Sequence, residues 1–345
     1  MEYRQLGSSG LRVSALSLGT MTFGGAGNFA SVGHTDVQEA ERILDRCVDA
    51  GVNLVDTADI YSDGASEEIV GRLVKGRRED LLLATKCGFP SEQGPNGAGS
   101  SRHHIVRSLE ASLRRLGTDH VDLYQLHCWD GQTALEETLS ALDSLVRAGK
   151  VRYVGCSNYS AWHVMKALNV AGRQGLARFV SNQVYWSVLG RDVEVEVVPA
   201  ALDQGLGILV WSPLAGGLLT GKYRRGVRPA AGARHLTDWN EPPVYDEAKT
   251  YEVIDVVVDV AQAHDVPPAQ VALAWLLTKP AVASVIVGAR DEGQIAQTLG
   301  AADLLLAPDE LARLEAVSAP PLPYPLWHQV KVRDRLGAAD RVVLG

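Results

Sequence analysis

One unit repeats along this chain: a short apolar run that stops at a polar residue, then a stretch of helical spacing. Asn53-Leu54-Val55 stops at Asp56, Leu81 to Thr85 at Lys86, and Val121 to Leu126 at His127. Runs so short and so continuously apolar suit strands covered on both faces, as in parallel sheets. Such runs end near positions 19, 56, 86, 127, 157, 183, 211 and 287. Most successive ends lie roughly 26 to 41 residues apart, the length of one strand–helix unit. The pattern predicts an α/β fold of the (β/α)8 TIM-barrel type, a single domain over 1–345. The competing doubly wound sheet usually carries G-x-G-x-x-G after its first strand. Here that place reads Gly19-Thr20-Met21-Thr22-Phe23-Gly24-Gly25.

The rest of the chain is expected to decorate that barrel. A hairpin is predicted over 3–13, barrel elements over 15–318, and a tail rich in Pro, Arg and aromatic residues over 319–345 that folds back on the barrel. The first helix is predicted to open at a capping box on Thr35 and to stop near Gly51. A glycine-rich segment, Phe89 to Ser100, and a polar stretch, Tyr223 to Tyr245, both follow strand carboxyl ends. Both should overhang the mouth, the second as a lid inside a long insertion between strands seven and eight.

Composition excludes several classes. The 345 residues are 46% hydrophobic and 21% charged, ordinary globular material. A net charge of −8 argues against nucleic acid or an anionic membrane as partner. Four scattered cysteines without CxxC spacing read as reduced thiols of a cytoplasmic protein. The N-terminus lacks a signal-peptide pattern, and no apolar stretch is long enough to span a bilayer. His103-His104 has no partner at metal spacing, so no metal is expected. Gly216 to Tyr223 is one residue short of a P-loop and puts Tyr223 where Ser or Thr should stand. It reads better as a dinucleotide phosphate contact.

Barrel geometry gathers the polar strand ends at one mouth. It should bring Asp56, Lys86 and His127 together, with Tyr61 in the turn five positions after Asp56. A tyrosine titrates near ~10, too high for easy proton donation at neutral pH. An ammonium at about 4 Å is expected to lower it by up to about three units. Asp56 would hold that ammonium charged, and His127 would orient a substrate carbonyl. Such a set suits protonation of a developing alkoxide. The matching hydride must come from a nicotinamide cofactor, since no side chain supplies one.

At this point the chain resembles the aldo-keto reductases, over about residues 3 to 318. The matching segments are Asp56-Thr57-Ala58-Asp59-Ile60-Tyr61, Ala84-Thr85-Lys86, Tyr124-Gln125-Leu126-His127, Gly155-Cys156-Ser157-Asn158, Ser181-Asn182-Gln183, Trp211-Ser212-Pro213-Leu214 and Gly288-Ala289-Arg290. The resemblance implies a barrel plugged at its base by the hairpin, with NADPH across the mouth. It also implies Tyr61 as proton donor in a tetrad with Asp56, Lys86 and His127, reducing a small-molecule aldehyde or ketone. Gly19, Thr20, Met21 and Asp56 would border the cofactor. Ser157, Asn158 and Gln183 would hold its carboxamide, and Trp211 would stack on the nicotinamide. Ser212, Pro213, Leu214, Gly216, Leu218 and Lys222 would line the pyrophosphate; Gly288, Arg290, Gln294 and Thr298 would meet the adenosine and its 2′-phosphate. The family often carries Asn or Glu where Thr298 stands, and other branches have a basic residue at Gln294, so the 2′-phosphate rests mainly on Arg290. Phe23, Phe89 and Trp129 are expected to wall the substrate pocket with Tyr61 and His127. The Trp211 to Leu214 segment resembles the branch that includes potassium-channel β-subunits. It opens a second reading, an NADPH-binding sensor of low turnover. The assembly is expected to be a monomer or a homo-oligomer.

Overall fold

A computed structural model describes residues 1–227, 233–237, 239 and 241–344. Its centre is a closed barrel of eight parallel strands. These are β3 (Leu16–Gly19), β4 (Leu54–Asp56), β5 (Leu82–Cys87), β6 (Val121–Leu126), β7 (Val151–Ser157), β8 (Ser181–Tyr185), β9 (Gly207–Trp211) and β10 (Val282–Val287). They pair in chain order, and β10 closes on β3 through Val285–Leu16 and its neighbours. A two-stranded antiparallel hairpin, β1 (Tyr3–Gln5) and β2 (Arg12–Ser14), precedes them.

Alternation sorts each strand's side chains into two layers. Outward residues join the large core beneath helices α1 (Val37–Asp49), α2 (Ala65–Leu73), α3 (Arg102–Leu116), α4 (Leu135–Arg147), α5 (Ala161–Gln174), α6 (Val197–Gln204), α7 (Glu247–Ala263), α8 (Pro268–Leu277), α9 (Glu292–Leu299) and α10 (Pro308–Ser318). Inward residues Leu54, Ala84, Leu123, Leu209 and Ile286 form a small inner cluster. Leu6 and Val13 of the hairpin segment join it, both 0% exposed. The hairpin therefore stoppers the barrel with apolar side chains, and polar inward residues are left to the opposite end.

Local physics moved several expected boundaries. Asp36 caps α1, its side chain accepting from the Glu39 N–H at 2.9 Å. Thr35 does not: it is buried, and its N–H is bonded to the Thr22 carbonyl. A carboxylate also suits the positive end of a helix better than a hydroxyl does. Strand β8 begins at Ser181, two residues later than expected, and Phe179 ahead of it packs in the outer core. The weakly periodic helix α10 was not foreseen; Pro308 opens it, and Glu310 reaches back to the Ala307 N–H. The tail does not cover the barrel as expected. Tyr324, Trp327, Val330 and Val332 stand exposed, and of its described apolar residues only Val342 packs against the core. Within the stretch from Tyr223 to Tyr245, positions 228–232, 238 and 240 lie outside the described residues. His235 ties the stretch to Tyr223 and to the Ala215 carbonyl.

The stopper makes a stability prediction. Gly7 has φ +59°, and a Cβ there would lie 2.5 Å from the Gly205 carbonyl oxygen. Gly7→Ala should destabilise by about 1–3 kcal/mol. Gly10→Ala should be near neutral, because a Cβ there meets nothing within 4 Å. Urea denaturation of both variants compares them directly.

Candidate active site

The apolar barrel base forces polar inward residues of β4, β5 and β6 toward the mouth. Register fixes their heights: Asp56 pairs with Ala84, and Lys86 with Gln125. Lys86 is 0% exposed, and its ammonium has three oxygen partners. Nζ lies 2.5 Å from Asp56 Oδ1, 2.8 Å from the Thr57 carbonyl and 3.3 Å from the Tyr61 hydroxyl. Tyr61 is carried there by the turn after β4, which is sewn to the next strand by Thr57 N–H to Ala84 O and Asp59 N–H to Lys86 O. Ser62 (φ 51°) and Asp63 (φ 55°) both sit in the left-handed region just past Tyr61. Two such non-glycine residues store strain, so other bonds must hold the turn. The Ser62 hydroxyl does so, donating to Phe23 O and accepting from the Gly25 N–H.

Asp56 is clamped on both oxygens. Oδ1 takes Lys86, while Oδ2 accepts from Gln183 Nε2 at 2.8 Å and Gln125 Nε2 at 3.2 Å. Gln125 was given no role from the sequence, although it stands two residues before His127, which directly follows β6, and so shares its side. Desolvation alone would lower the Lys86 pKa, but Asp56 and then Tyr61 outweigh it and hold the ammonium above its usual value. Tyr61 departs from expectation. Its pKa is raised, because burial favours the neutral phenol and Asp56 cancels part of the pull from Lys86. The ammonium is already neutralised by a carboxylate at 2.5 Å, so its field at the phenol is weak. His127 is driven well below its ordinary value by burial and then by Lys86, so the imidazole is neutral. Its Nδ1 is buried without a hydrogen-bond partner.

Aromatic rings surround this cluster, though not all the expected ones. Phe89 meets the His127 ring edge-on at 4.7 Å, and Phe29 meets Tyr61 at 5.3 Å. Trp239 lies against Phe29 at 5.7 Å. Phe29 and Trp239 had no local sequence signal, since each comes from a loop far from the strand ends. Phe23 is 1% exposed and packs in the core, so it walls no open pocket. The Trp129 ring stacks on His163 of α5 at 3.9 Å.

The expected cofactor residues fall into two groups. The first lies beside the four. Gly19 adjoins Asp56 in register, Gln183 touches Asp56, and the Ser157 hydroxyl donates to the Gln183 carbonyl. Asn158 bridges the His127 carbonyl to the Trp211 indole N–H. Trp211 also packs on Tyr185 at 5.3 Å. Met21 is half-buried nearby in the chain, but the Thr20 hydroxyl is spent on the Asp56 carbonyl and Ser66. The second group follows β9. The loop runs Ser212, Pro213, Leu214, Ala215, Gly216, Gly217, with φ positive at Ser212, Ala215, Gly216 and Gly217. A Cβ on Gly217 would lie 2.9 Å from Lys222 Nζ, and one on Gly216 2.7 Å from His235 Nε2. Leu218 is buried below. Lys222 and Arg234 form no ion pair among the described residues. Burial first, then Arg290 and Arg234, lowers Lys222; burial, then Arg290, lowers Arg234 to about 10. Two basic groups, Lys222 and Arg234, with no carboxylate partner among the described residues beside a glycine cradle fit a polyphosphate. Arg234 was not singled out in the sequence.

Among the residues expected to meet the adenosine, Gly288 and Arg290 are exposed, as is Gln294. Gln294 is held by its own loop, accepting from the Arg290 N–H and donating to Asp291. Thr298 is turned away: it is buried, and its hydroxyl donates to the Gln294 carbonyl one helical turn back. Its expected adenosine contact through the side chain is therefore not made available.

Comparison with known proteins agrees with this architecture. The model of the aldo/keto reductase family matches residues 15–319, and the chain belongs to that family. It is 40% identical over 328 residues, 92% of this chain and 96% of the relative, to a "Probable voltage-gated potassium channel subunit beta" of Oryza sativa subsp. japonica. It is 39% identical, with the same coverage, to the "Uncharacterized oxidoreductase YrpG" of Bacillus subtilis. It is 34% identical over 331 residues, 91% of this chain and 92% of the relative, to the "L-glyceraldehyde 3-phosphate reductase" of Escherichia coli O157:H7.

The clamp around Lys86 predicts a stability effect separate from any activity. Lys86→Met leaves the Asp56 carboxylate buried without its ammonium. It should cost about 3–5 kcal/mol of unfolding free energy. Adding Asp56→Asn to that variant should restore part of the loss, because the uncompensated charge is gone. A double-mutant cycle by chemical denaturation measures both.

Proposed function

We propose that this member of the aldo/keto reductase family reduces the carbonyl of an aldehyde or ketone with NADPH, and that Tyr61 delivers the proton. The observation that carries the reading is the Tyr61 hydroxyl, 3.3 Å from an ammonium held by a fully clamped carboxylate. When bound, NADPH supplies a hydride to the carbonyl carbon. The residues that would hold it are those named above: Ser157, Asn158 and Gln183 near Trp211, the 212–218 cradle with Lys222 and Arg234, and Arg290.

The protein's own groups do the rest. A phenol that keeps its proton through neutral pH is a donor always loaded for reduction. As negative charge grows on the substrate oxygen, the phenol becomes the nearest acid, and Lys86 stabilises the tyrosinate left behind. Neutral His127 can donate one hydrogen bond to the carbonyl oxygen and fix its direction toward Tyr61. Phe29, Phe89 and Trp239 keep water from the reacting centre. The enzyme is proposed to act in the cytoplasm as an alcohol dehydrogenase-type reductase.

The similarity to a probable channel β-subunit favours one second reading, an NADPH-binding sensor of low turnover. Steady-state turnover measured together with native mass separates the two. Rapid turnover without a partner speaks for the enzyme.

Tyr61→Phe should bind NADPH as the parent does and lose at least about a hundredfold in kcat, the usual worth of a general acid. A kcat within a few-fold of the parent would remove Tyr61 from the role. Arg290→Ala should weaken NADPH by about 1.5–3 kcal/mol and leave NADH nearly unchanged, since NADH lacks the 2′-phosphate that the guanidinium would meet. Fluorescence titration with both dinucleotides reads the difference, and equal losses would make Arg290 a structural residue.

A further inference from the structure

Asp59 has no part in the chemistry above, yet it is the least satisfied acid near the site. It is 4% exposed, and neither carboxyl oxygen has a partner at full hydrogen-bond geometry, the Ser91 hydroxyl and the Ile60 N–H approaching only loosely. Its backbone N–H is bonded to the Lys86 carbonyl at 3.2 Å, so it cannot drift from the tetrad. It borders a cavity of about 190 Å³, walled by Pro90, Ser91 and Glu92 on one side and Ser108 and Arg115 of α3 on the other. Such a space admits several waters.

The charges around Asp59 are already matched. Glu67 of α2 is fully buried and accepts from the Thr85 hydroxyl and from Arg115 at 2.7 Å. Lys86 of β5 is taken by Asp56, and Glu92 is paired with Arg107. Asp63, also on the cavity, adds negative charge. The remaining titratable neighbours, Tyr61, Cys87, Tyr124 of β6 and Cys128, are all held neutral by burial. Among the described residues no cation is left for Asp59, and an ionised carboxylate with so few donors is costly to bury. Burial, then repulsion from Glu67, raises it to about 8, with Arg115 and weak bonds from Ser91 and the Ile60 N–H offsetting only part.

We propose that Asp59 is a neutral acid in the resting protein and that it releases its proton through this cavity in mildly alkaline solution, setting a negative charge behind Tyr61 that keeps the phenol protonated. Asp59 is thus a positioning residue for the proton donor. It extends the pH range over which Tyr61 remains an acid, because a charge on Asp59 raises the phenol further. This step rests on the reading of Tyr61 as donor; the protonation of Asp59 does not.

The test uses the full-length chain and Asp59→Asn, with Asp59→Leu as a second neutral variant if the amide folds poorly. Difference infrared spectra, parent minus variant, should show a protonated-carboxyl stretch at neutral pH that fades in alkali. Melting temperatures give an independent reading of the same state. An acid whose folded pKa is raised from 3.8 to about 8 binds its proton more tightly when folded. Parent stability therefore falls with rising pH across that window and levels above it. The variant's advantage over the parent should grow from about pH 4 to about pH 8 and then stay constant. No carboxyl band and a constant melting difference would overturn the neutral acid, whatever the reaction proves to be. For NADPH-saturated enzyme, the alkaline limb of kcat/KM for carbonyl reduction should move several tenths of a pH unit lower in the variant. A limb that stays in place while the band and melting trend appear would overturn the link to Tyr61 alone.

Discussion

Everything at the mouth of this barrel depends on one buried ion pair. Lys86 is fully buried and would be untenable alone; Asp56 at 2.5 Å makes it tenable. That pair is not self-sufficient either. The second carboxylate oxygen needs Gln125 and Gln183, and the ammonium needs the Thr57 carbonyl. The pair and these partners come from four strands and one turn. The pair therefore exists only when the barrel is closed, and the closed barrel leaves one ammonium bond for Tyr61.

The same clamping explains why the two aromatic acid–base groups rest neutral. An ammonium already matched by a carboxylate offers a nearby phenol little net field. Burial then decides, and it favours the protonated tyrosine and the uncharged histidine. A neutral donor beside a stabilised cation is poised for charge that appears only during reaction. This is preorganisation rather than a lowered resting pKa. Away from the centre, the logic reverses: among the described residues Lys222 and Arg234 have no carboxylate partner, which suits the anion proposed for that region.

Much of this was legible because a barrel converts strand ends into neighbours. Asp56, Lys86 and His127 each closed an apolar run, and parallel register puts such ends at one mouth. Tyr61 needed only its spacing from Asp56. What escaped depended on contacts without period. Phe29 and Trp239 reach the site from loops, and Arg234 from an irregular stretch. Phe23 resembled a pocket wall only because its neighbours in sequence lie near the mouth, and it packs inward. Thr298 looked like a ligand until its hydroxyl was seen bonded to its own helix, as threonines in helices often are. The direction of the Tyr61 shift failed for a different reason. Pairwise reasoning counted Lys86 and omitted the burial and the carboxylate that share its surroundings.

The account turns on Tyr61 resting as a protonated phenol despite its ammonium neighbour. Ultraviolet difference titration of the parent against Tyr61→Phe isolates this one chromophore. A buried phenol of this kind should give no tyrosinate signal through the neutral range and an onset above that of ordinary tyrosine. Tyrosinate absorbance already present at neutral pH would contradict it, and would show that the field of Lys86 outweighs burial.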